Sequence, residues 1–159
     1  MATTRLPRLR VLQTNVNTAR LAHDLAVGFA ATGDFDVLVA AEPNPTLVRS
    51  RGWFVDSLGG VGVFIRNRQL RIHGIESHWG FVNVRFENMS FLCCYISPNI
   101  TAEEYGRRLD EIVGVIIGER RGEVLVIGDL NAKSAAWGSP VTDARGQMDG
   151  WTVWGLWIW

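Results

Sequence analysis

The stretch EVLVIGDLNAKSAAWG, residues 123–138, limits what this chain can fold into more than any other part of it. Its apolar run, residues 124–127, is too short for an independent helix and rich in β-branched side chains, which reads as a buried strand. Gly128 ends the run, and Asp129 and Asn131 follow. Side chains two apart at a strand end leave the same face, so the Asp129 carboxylate and the Asn131 amide are expected to emerge side by side. Such a pair suits a hydrated divalent ion, or a water aimed at phosphorus, because both tasks need fixed oxygen acceptors and hydrogen bonds. The same residue types also make ordinary strand-to-loop turns. The rest of the chain has to decide.

A buried strand needs a core around it. With 159 residues, 47% of them hydrophobic, the chain can supply one, and disordered, collagen-like and disulfide-rich classes do not fit. One domain over residues 1–159 is expected. Lys plus Arg and Asp plus Glu each number 16, so a polyanion would be met by a local patch rather than a global field. The basic residues are arginines apart from Lys133, and arginine is the better bidentate partner for phosphate. Adjacent Cys93 and Cys94 match neither a zinc spacing nor a disulfide framework and read as reduced, buried strand residues. The basic start MATTRLPRLR lacks a following apolar segment. No stretch approaches the roughly 20 apolar residues of a membrane span, so an intracellular protein without a membrane partner is expected. Asn88-Met89-Ser90 matches a glycosylation pattern but reads as a hairpin turn.

Taken in order, residues 9–14 form a first strand, with Leu9 and Val11 on one face and Gln13 and Asn15 continuing that parity. Thr18 can cap a helix to about residue 31, in which Leu21, Leu25 and Phe29 recur at four-residue spacing beside Ala22, Ala26 and Ala30. Residues 36–41 form a second strand, and Glu42 stands at its end, before Pro43 and Pro45, which forbid further pairing. Strand, helix, strand of these lengths favours a parallel βαβ opening. Residues 53–56 and 62–66 read as short strands joined at Leu58-Gly59-Gly60. A dinucleotide-loop reading of GGVGVF fails because the third glycine is absent and no helix follows. Residues 69–74, 79–87 and 90–96 continue as antiparallel strands, and Tyr95 lies near the end of the last. Thr101 and Glu104 form a capping box for a helix to about Gly118. Its apolar stripe is Tyr105, Leu109, Ile112, Val113, Ile116 and Ile117, with Arg107, Arg108, Asp110 and Glu111 on the solvent face.

His23, His73 and His78 lack the spacing of a metal pair, and no G-x-S-x-G elbow is present. Covalent catalysis by serine or cysteine therefore has no support. What remains is an oxygen and amide set, Asn15, Glu42, Asp129 and Asn131, each at a strand end, with Tyr95 beside them. Hard oxygen ligands of this type point to Mg²⁺ or Mn²⁺ rather than zinc.

These residues sit in motifs that resemble the endonuclease/exonuclease/phosphatase superfamily, and within it the apurinic-type endonuclease domain of non-LTR retrotransposons. The likeness runs through LQTN at residues 12–15, AEP at 41–43, GVGVFIR at 60–66 with one extra glycine before it, CYISPN at 94–99 and GDLNAKSAAWGS at 128–139, followed by DARG at 143–146. It implies a two-sheet α/β sandwich of the DNase I-like type, with helices on the outer faces and the active site at one end of the sheets. Residue by residue, it implies that Glu42 is the principal Mg²⁺ ligand, with Asn15 and Asp129 completing the metal set. Tyr95 would donate its hydroxyl to the phosphate. Asp129 would orient or deprotonate the attacking water, and Asn131 would fix Asp129 and a phosphate oxygen. The implied reaction is in-line hydrolysis of a phosphodiester, nicking target DNA to leave a primer end for a reverse transcriptase module, and the implied location is nuclear.

The resemblance also implies a late Asp and a terminal His, and no histidine follows His78. The end, QMDGWTVWGLWIW, holds four tryptophans in nine residues and is expected to begin an element covered by further sheet. An incomplete C-terminus with reduced activity is the corresponding expectation, since removing one electrostatic partner from such a site costs about 10²–10³ in rate. A phosphatase or repair nuclease of the same fold, and a non-catalytic remnant, are the alternatives.

Overall fold

Two four-stranded sheets face each other across an apolar layer, and their strand order decides where the polar strand ends go. In the computed structural model, which describes residues 9–50, 52–119 and 122–148, the first sheet contains β1 (Val11–Asn15), β2 (Val37–Ala41), β3 (Trp53–Val55) and β4 (Val61–Ile65). Its order is β1-β2-β4-β3. The second contains β5 (Gly74–Ser77), β6 (Phe81–Arg85), β7 (Met89–Tyr95) and β8 (Glu123–Asp129) in simple sequence order. Each sheet has one parallel pair. β1 and β2 are joined through helix α1 (Arg20–Thr32), and β7 and β8 through α2 (Ala102–Gly118), as parallel pairing requires of its crossovers. The other pairs are antiparallel. A short helix, α3 (Ala144–Met148), follows. The chain is the two-sheet α/β sandwich that the motifs implied.

Strand parity builds the middle layer. Val37, Val39, Val61, Val63, Val82, Val84, Phe91, Cys93 and Ile127 are buried between the sheets, with Val11, Leu125 and Tyr95 packed against them. The opposite face of the second sheet buries Phe81, Leu92, Cys94 and Val126 under Tyr105, Leu109 and Ile112 of α2. Both cysteines are buried and free, and burial pushes both thiols far above their usual range. At α2 the Thr101 hydroxyl accepts the Glu104 N–H at 3.2 Å, which is the cap expected from sequence.

Several expectations are corrected. The first helix buries its small side, where Ala30 and His23 are enclosed, and leaves Leu21, Leu25 and Phe29 exposed by 72%, 63% and 59%. Alanines let a helix approach a sheet more closely than the leucine stripe would. Thr18 does not cap this helix: it lies at φ +56, the N-cap is Ala19, and no side-chain cap bond forms. Residues 69–74 are not a strand, because the Asn67 side chain accepts the Gln69 N–H and starts a turn; pairing begins at Gly74. Trp79 and Gly80 stay outside β6, since Gly80 at φ +89 cannot continue a strand. Arg108 leaves the solvent face of α2 to bond Glu104 at 2.8 Å and the Trp79 carbonyl at 3.3 Å, whereas Ile117 is exposed. The tryptophan-rich end, residues 149–159, lies outside the described residues.

Candidate active site

The parallel pair of one sheet packs against the parallel pair of the other, β8 meeting both β1 and β2. All four of these strands therefore end at one rim. Their inward parity runs through Val11 and Gln13 to Asn15, through Phe91 and Cys93 to Tyr95, and through Leu125 and Ile127 to Asp129. The apolar layer becomes polar at its mouth. Glu42 lies one residue beyond β2 and turns inward through a left-handed backbone, φ +48. Its N–H donates to the Gly60 carbonyl at 2.8 Å, and its own carbonyl accepts the Thr18 N–H at 2.7 Å. A bulky residue in this region is strained, a state that persists only where the surroundings fix it.

Four of the five sequence candidates, Asn15, Glu42, Tyr95 and Asp129, bring their side chains together, and the fifth, Asn131, joins them through its backbone. The Asn15 amide nitrogen donates to Glu42 Oε1 at 2.9 Å and reaches Asp129 Oδ2 at 3.5 Å, so the two carboxylates face one another across a single amide. The Asn15 oxygen is held by the Asn17 N–H at 2.8 Å, which aims the nitrogen at the acids. Asp129 Oδ1 accepts the Asn131 backbone N–H at 3.0 Å. The Asn131 side chain is not alongside the Asp129 carboxylate, as strand parity suggested; β8 ends at Asp129, Asn131 takes φ +49, and its amide donates to the Ile96 carbonyl at 2.9 Å. Asn131 still fixes Asp129, through its backbone.

The Tyr95 hydroxyl is pushed up to about 12, first by burial, then by its hydrogen bond to Glu42 and the negative charges of Glu42 and Asp129, with Ser97 opposing. It stays a neutral donor throughout the physiological range. Beneath its ring lies Gly60, where a Cβ would come within 2.6 Å of Tyr95 Cδ1, which explains a glycine at that corner. Among the described residues, no group of three or more His, Cys, Asp or Glu side chains gathers into a cage. Two facing carboxylates tied by an amide nonetheless fit Mg²⁺, which is commonly bound by one or two carboxylates, water and substrate phosphate. Sequence reasoning missed Asn17, Gly60 and Ser97 as site residues. The Asn-x-Asn pattern at 15–17 was the one available signal, since Asn tolerates left-handed turns.

A cleft lies at the opposite end of the sandwich, lined by Leu9, Leu70, Phe86 and Met89. It is mostly apolar and far along the strands from the acids.

No protein-family model and no curated protein matches the sequence. Solved structures do. The endonuclease domain of TRAS1, a telomere-specific non-LTR retrotransposon, superposes with a TM-score of 0.69 at 25% identity over 87% of this chain and 66% of that one. TDP2 of D. rerio complexed with a single-strand DNA product gives 0.57 at 16% identity, over 80% and 62% of the two chains. A humanized form of the D. rerio protein gives 0.59 at 18% identity, over 80% and 64%. The chain thus spans slightly less than two thirds of each of these three structures.

Proposed function

This chain has the endonuclease/exonuclease/phosphatase fold, and from that premise we propose that it hydrolyses phosphodiester bonds in DNA as the endonuclease module of a non-LTR retrotransposon. The observation that carries the reading is the single rim at which Asn15, Glu42, Tyr95 and Asp129 meet from four strand ends. Glu42 and Asp129 supply the anionic oxygens for a divalent cation. Asn15 serves as the crosspiece between them, and its oxygen, which accepts one bond from Asn17, keeps a second lone pair for the cation. When bound, Mg²⁺ or Mn²⁺ would stabilise negative charge developing on the phosphate and the leaving oxygen.

The chain's own groups do the rest. Tyr95, held neutral, donates to a non-bridging phosphate oxygen, an interaction that strengthens as charge builds. Asp129, with one oxygen fixed by Asn131, accepts a hydrogen bond from the attacking water and takes its proton. Next to Tyr95 the rim offers a strand a surface to lie on. Trp79 is 60% exposed, Arg108 sits 5.2 Å over its ring, and Gly80, the next residue, accepts the Tyr95 N–H at 2.9 Å. An exposed aromatic ring of this kind, backed on one side by an arginine, stacks on bases. A reverse transcriptase module and a nuclear location follow from the same reading.

The test is nicking of supercoiled plasmid by the full chain with Mg²⁺ or Mn²⁺. Nicking that falls about 100-fold or more in Glu42→Gln and Asp129→Asn supports the reading. Phosphate release from small phosphomonoesters without nicking would redirect it to a phosphatase. Titration with Mn²⁺ that shows no heat lost in Glu42→Ala would identify a remnant without a metal site.

A further inference from the structure

The DARG segment, residues 143–146, has no hydrogen bond to any of the five candidate side chains, yet it ties together the loops that follow Tyr95 and Asp129. Arg145 spreads its guanidinium over the loop after β7, donating to the carbonyls of Ser97 at 3.1 Å, Pro98 at 2.9 Å and Ile100 at 2.9 Å. Its orientation is fixed from beneath by the Tyr105 ring, 4.7 Å away. This loop starts one residue past Tyr95 and contains Ser97, whose hydroxyl opposes the upward shift of Tyr95 and accepts the Asn99 N–H at 3.2 Å. Two residues back, Asp143 holds the loop after β8. Its Oδ1 accepts from Lys133 N at 3.2 Å and Gly146 N at 2.8 Å, and its own N–H donates to the Lys133 carbonyl at 2.9 Å. Gly146 lies so close that a Cβ there would meet the Lys133 carbonyl oxygen at 1.9 Å. Lys133 is two residues past Asn131, whose amide in turn bonds the Ile96 carbonyl.

We propose that Arg145 is a positioning residue for the hydrolytic site. With Asp143 it clips the loop after β7 to the loop after β8, fixing the register at which the Tyr95 hydroxyl and the Asp129 carboxylate address one phosphate. The proposal rests on the phosphodiesterase reading of the site for its effect on rate, but the clip itself is a separate physical claim. Three carbonyls shared between the two terminal nitrogens suit the fork of an arginine, and a lysine ammonium at the same place would satisfy at most part of the set. Loop carbonyls left without that fork would turn to water, and the loop would gain freedom at the residue next to Tyr95.

The experiment uses the full chain with Arg145→Ala and Arg145→Lys, the latter keeping charge and ring contact so that the fold survives. Hydrogen exchange should speed up about tenfold in residues 96–100 and 131–134 in both variants, because local opening there is no longer opposed. In plasmid nicking, kcat should fall by about 10–100-fold with KM changed less than about twofold, as a small misplacement of reacting groups would cause. In a Tyr95→Phe background the loss on Arg145→Ala should shrink to about threefold or less, since two residues acting through one contact are not additive. Exchange that speeds up only in residues 143–148, unchanged kcat, or an equal loss in the Tyr95→Phe background would each overturn the proposal. If the unaltered chain cleaves no phosphodiester, the nuclease reading fails by itself, and the exchange result alone decides the clip.

Discussion

Gly60→Ala isolates the contact between the β3–β4 corner and Tyr95. Gly60 does not occupy the left-handed region, so alanine carries no backbone penalty there; only its Cβ matters. That atom would lie 2.6 Å from Tyr95 Cδ1 and 3.4 Å from Cε1, whereas carbon atoms in good contact are about 3.5–4.0 Å apart. The ring therefore has to shift by roughly 1 Å, or the Gly60 carbonyl has to give up the Glu42 N–H it accepts. Either way a site group moves. Overpacking of this kind costs about 1–3 kcal/mol, which leaves most of the 5–15 kcal/mol typical of a domain. The rate suffers more, because misplacement by 1 Å can cost about 100-fold. The assay is plasmid nicking under saturating DNA beside a thermal melt, in wild-type and Tyr95→Ala backgrounds. The variant should stay folded, lose about 100-fold in kcat, and lose almost nothing further once the ring has been removed. A Gly60→Ala protein that nicks at the wild-type rate, or an undiminished loss in the Tyr95→Ala background, would refute the geometry.

Tyr95→Phe should lower kcat by about 10²-fold as the phosphate donor is removed; because the hydroxyl is held up at about 12, wild type should show no alkaline loss attributable to Tyr95 below that value in a pH–rate profile. Trp79→Ala should raise KM for DNA by about tenfold with kcat unchanged, reflecting one lost stacking contact of about 1–3 kcal/mol, and leave hydrolysis of a small phosphodiester untouched. Asn83 is fully buried in β6 with both amide atoms unpartnered among the described residues, so Asn83→Leu should stabilise by about 1 kcal/mol in urea titration. His23 is buried, with Nδ1 accepting the Asn44 N–H at 3.2 Å. Burial lowers its pKa below the ordinary 6.5, Asp24 opposing. The unfolded chain therefore takes up the proton first, and stability that is complete above 6.5 declines as pH falls below it. Urea midpoints measured down through this window should fall less steeply in His23→Asn, which keeps an acceptor for Asn44.

How far the sequence exposes this site follows from strand parity. Asn15 could be placed at the mouth because Val11 and Gln13 lead to it, and Asp129 because Leu125 and Ile127 do; a strand alternates faces, and each of these polar residues continues the inward register to the last residue of its strand. Helix α1 shows where pattern alone fails. Two stripes one position apart both have helical spacing, and only the distance to the sheet selects Ala22, Ala26 and Ala30 over Leu21, Leu25 and Phe29. Glu42 and Asn131 fail for another reason. Counting by twos from Val37 and Val39 puts Ala41 inward and Glu42 outward, and from Asp129 it puts Asn131 beside the acid. Both counts break because the backbone turns left-handed at φ +48 and +49. Of the five non-glycine residues at positive φ among the described residues, Asn17, Thr18, Glu42 and Asn131 surround the site, and only Asp34 lies elsewhere. Each such residue costs of order 1–3 kcal/mol. That cost is offset by bonds running between different strand ends, Thr18 to Glu42, Glu42 to Gly60 and Asn131 to Ile96. Strain and compensation therefore act on the same few residues: the sheets bring the acids to one rim, and the departures from sheet geometry aim them at each other.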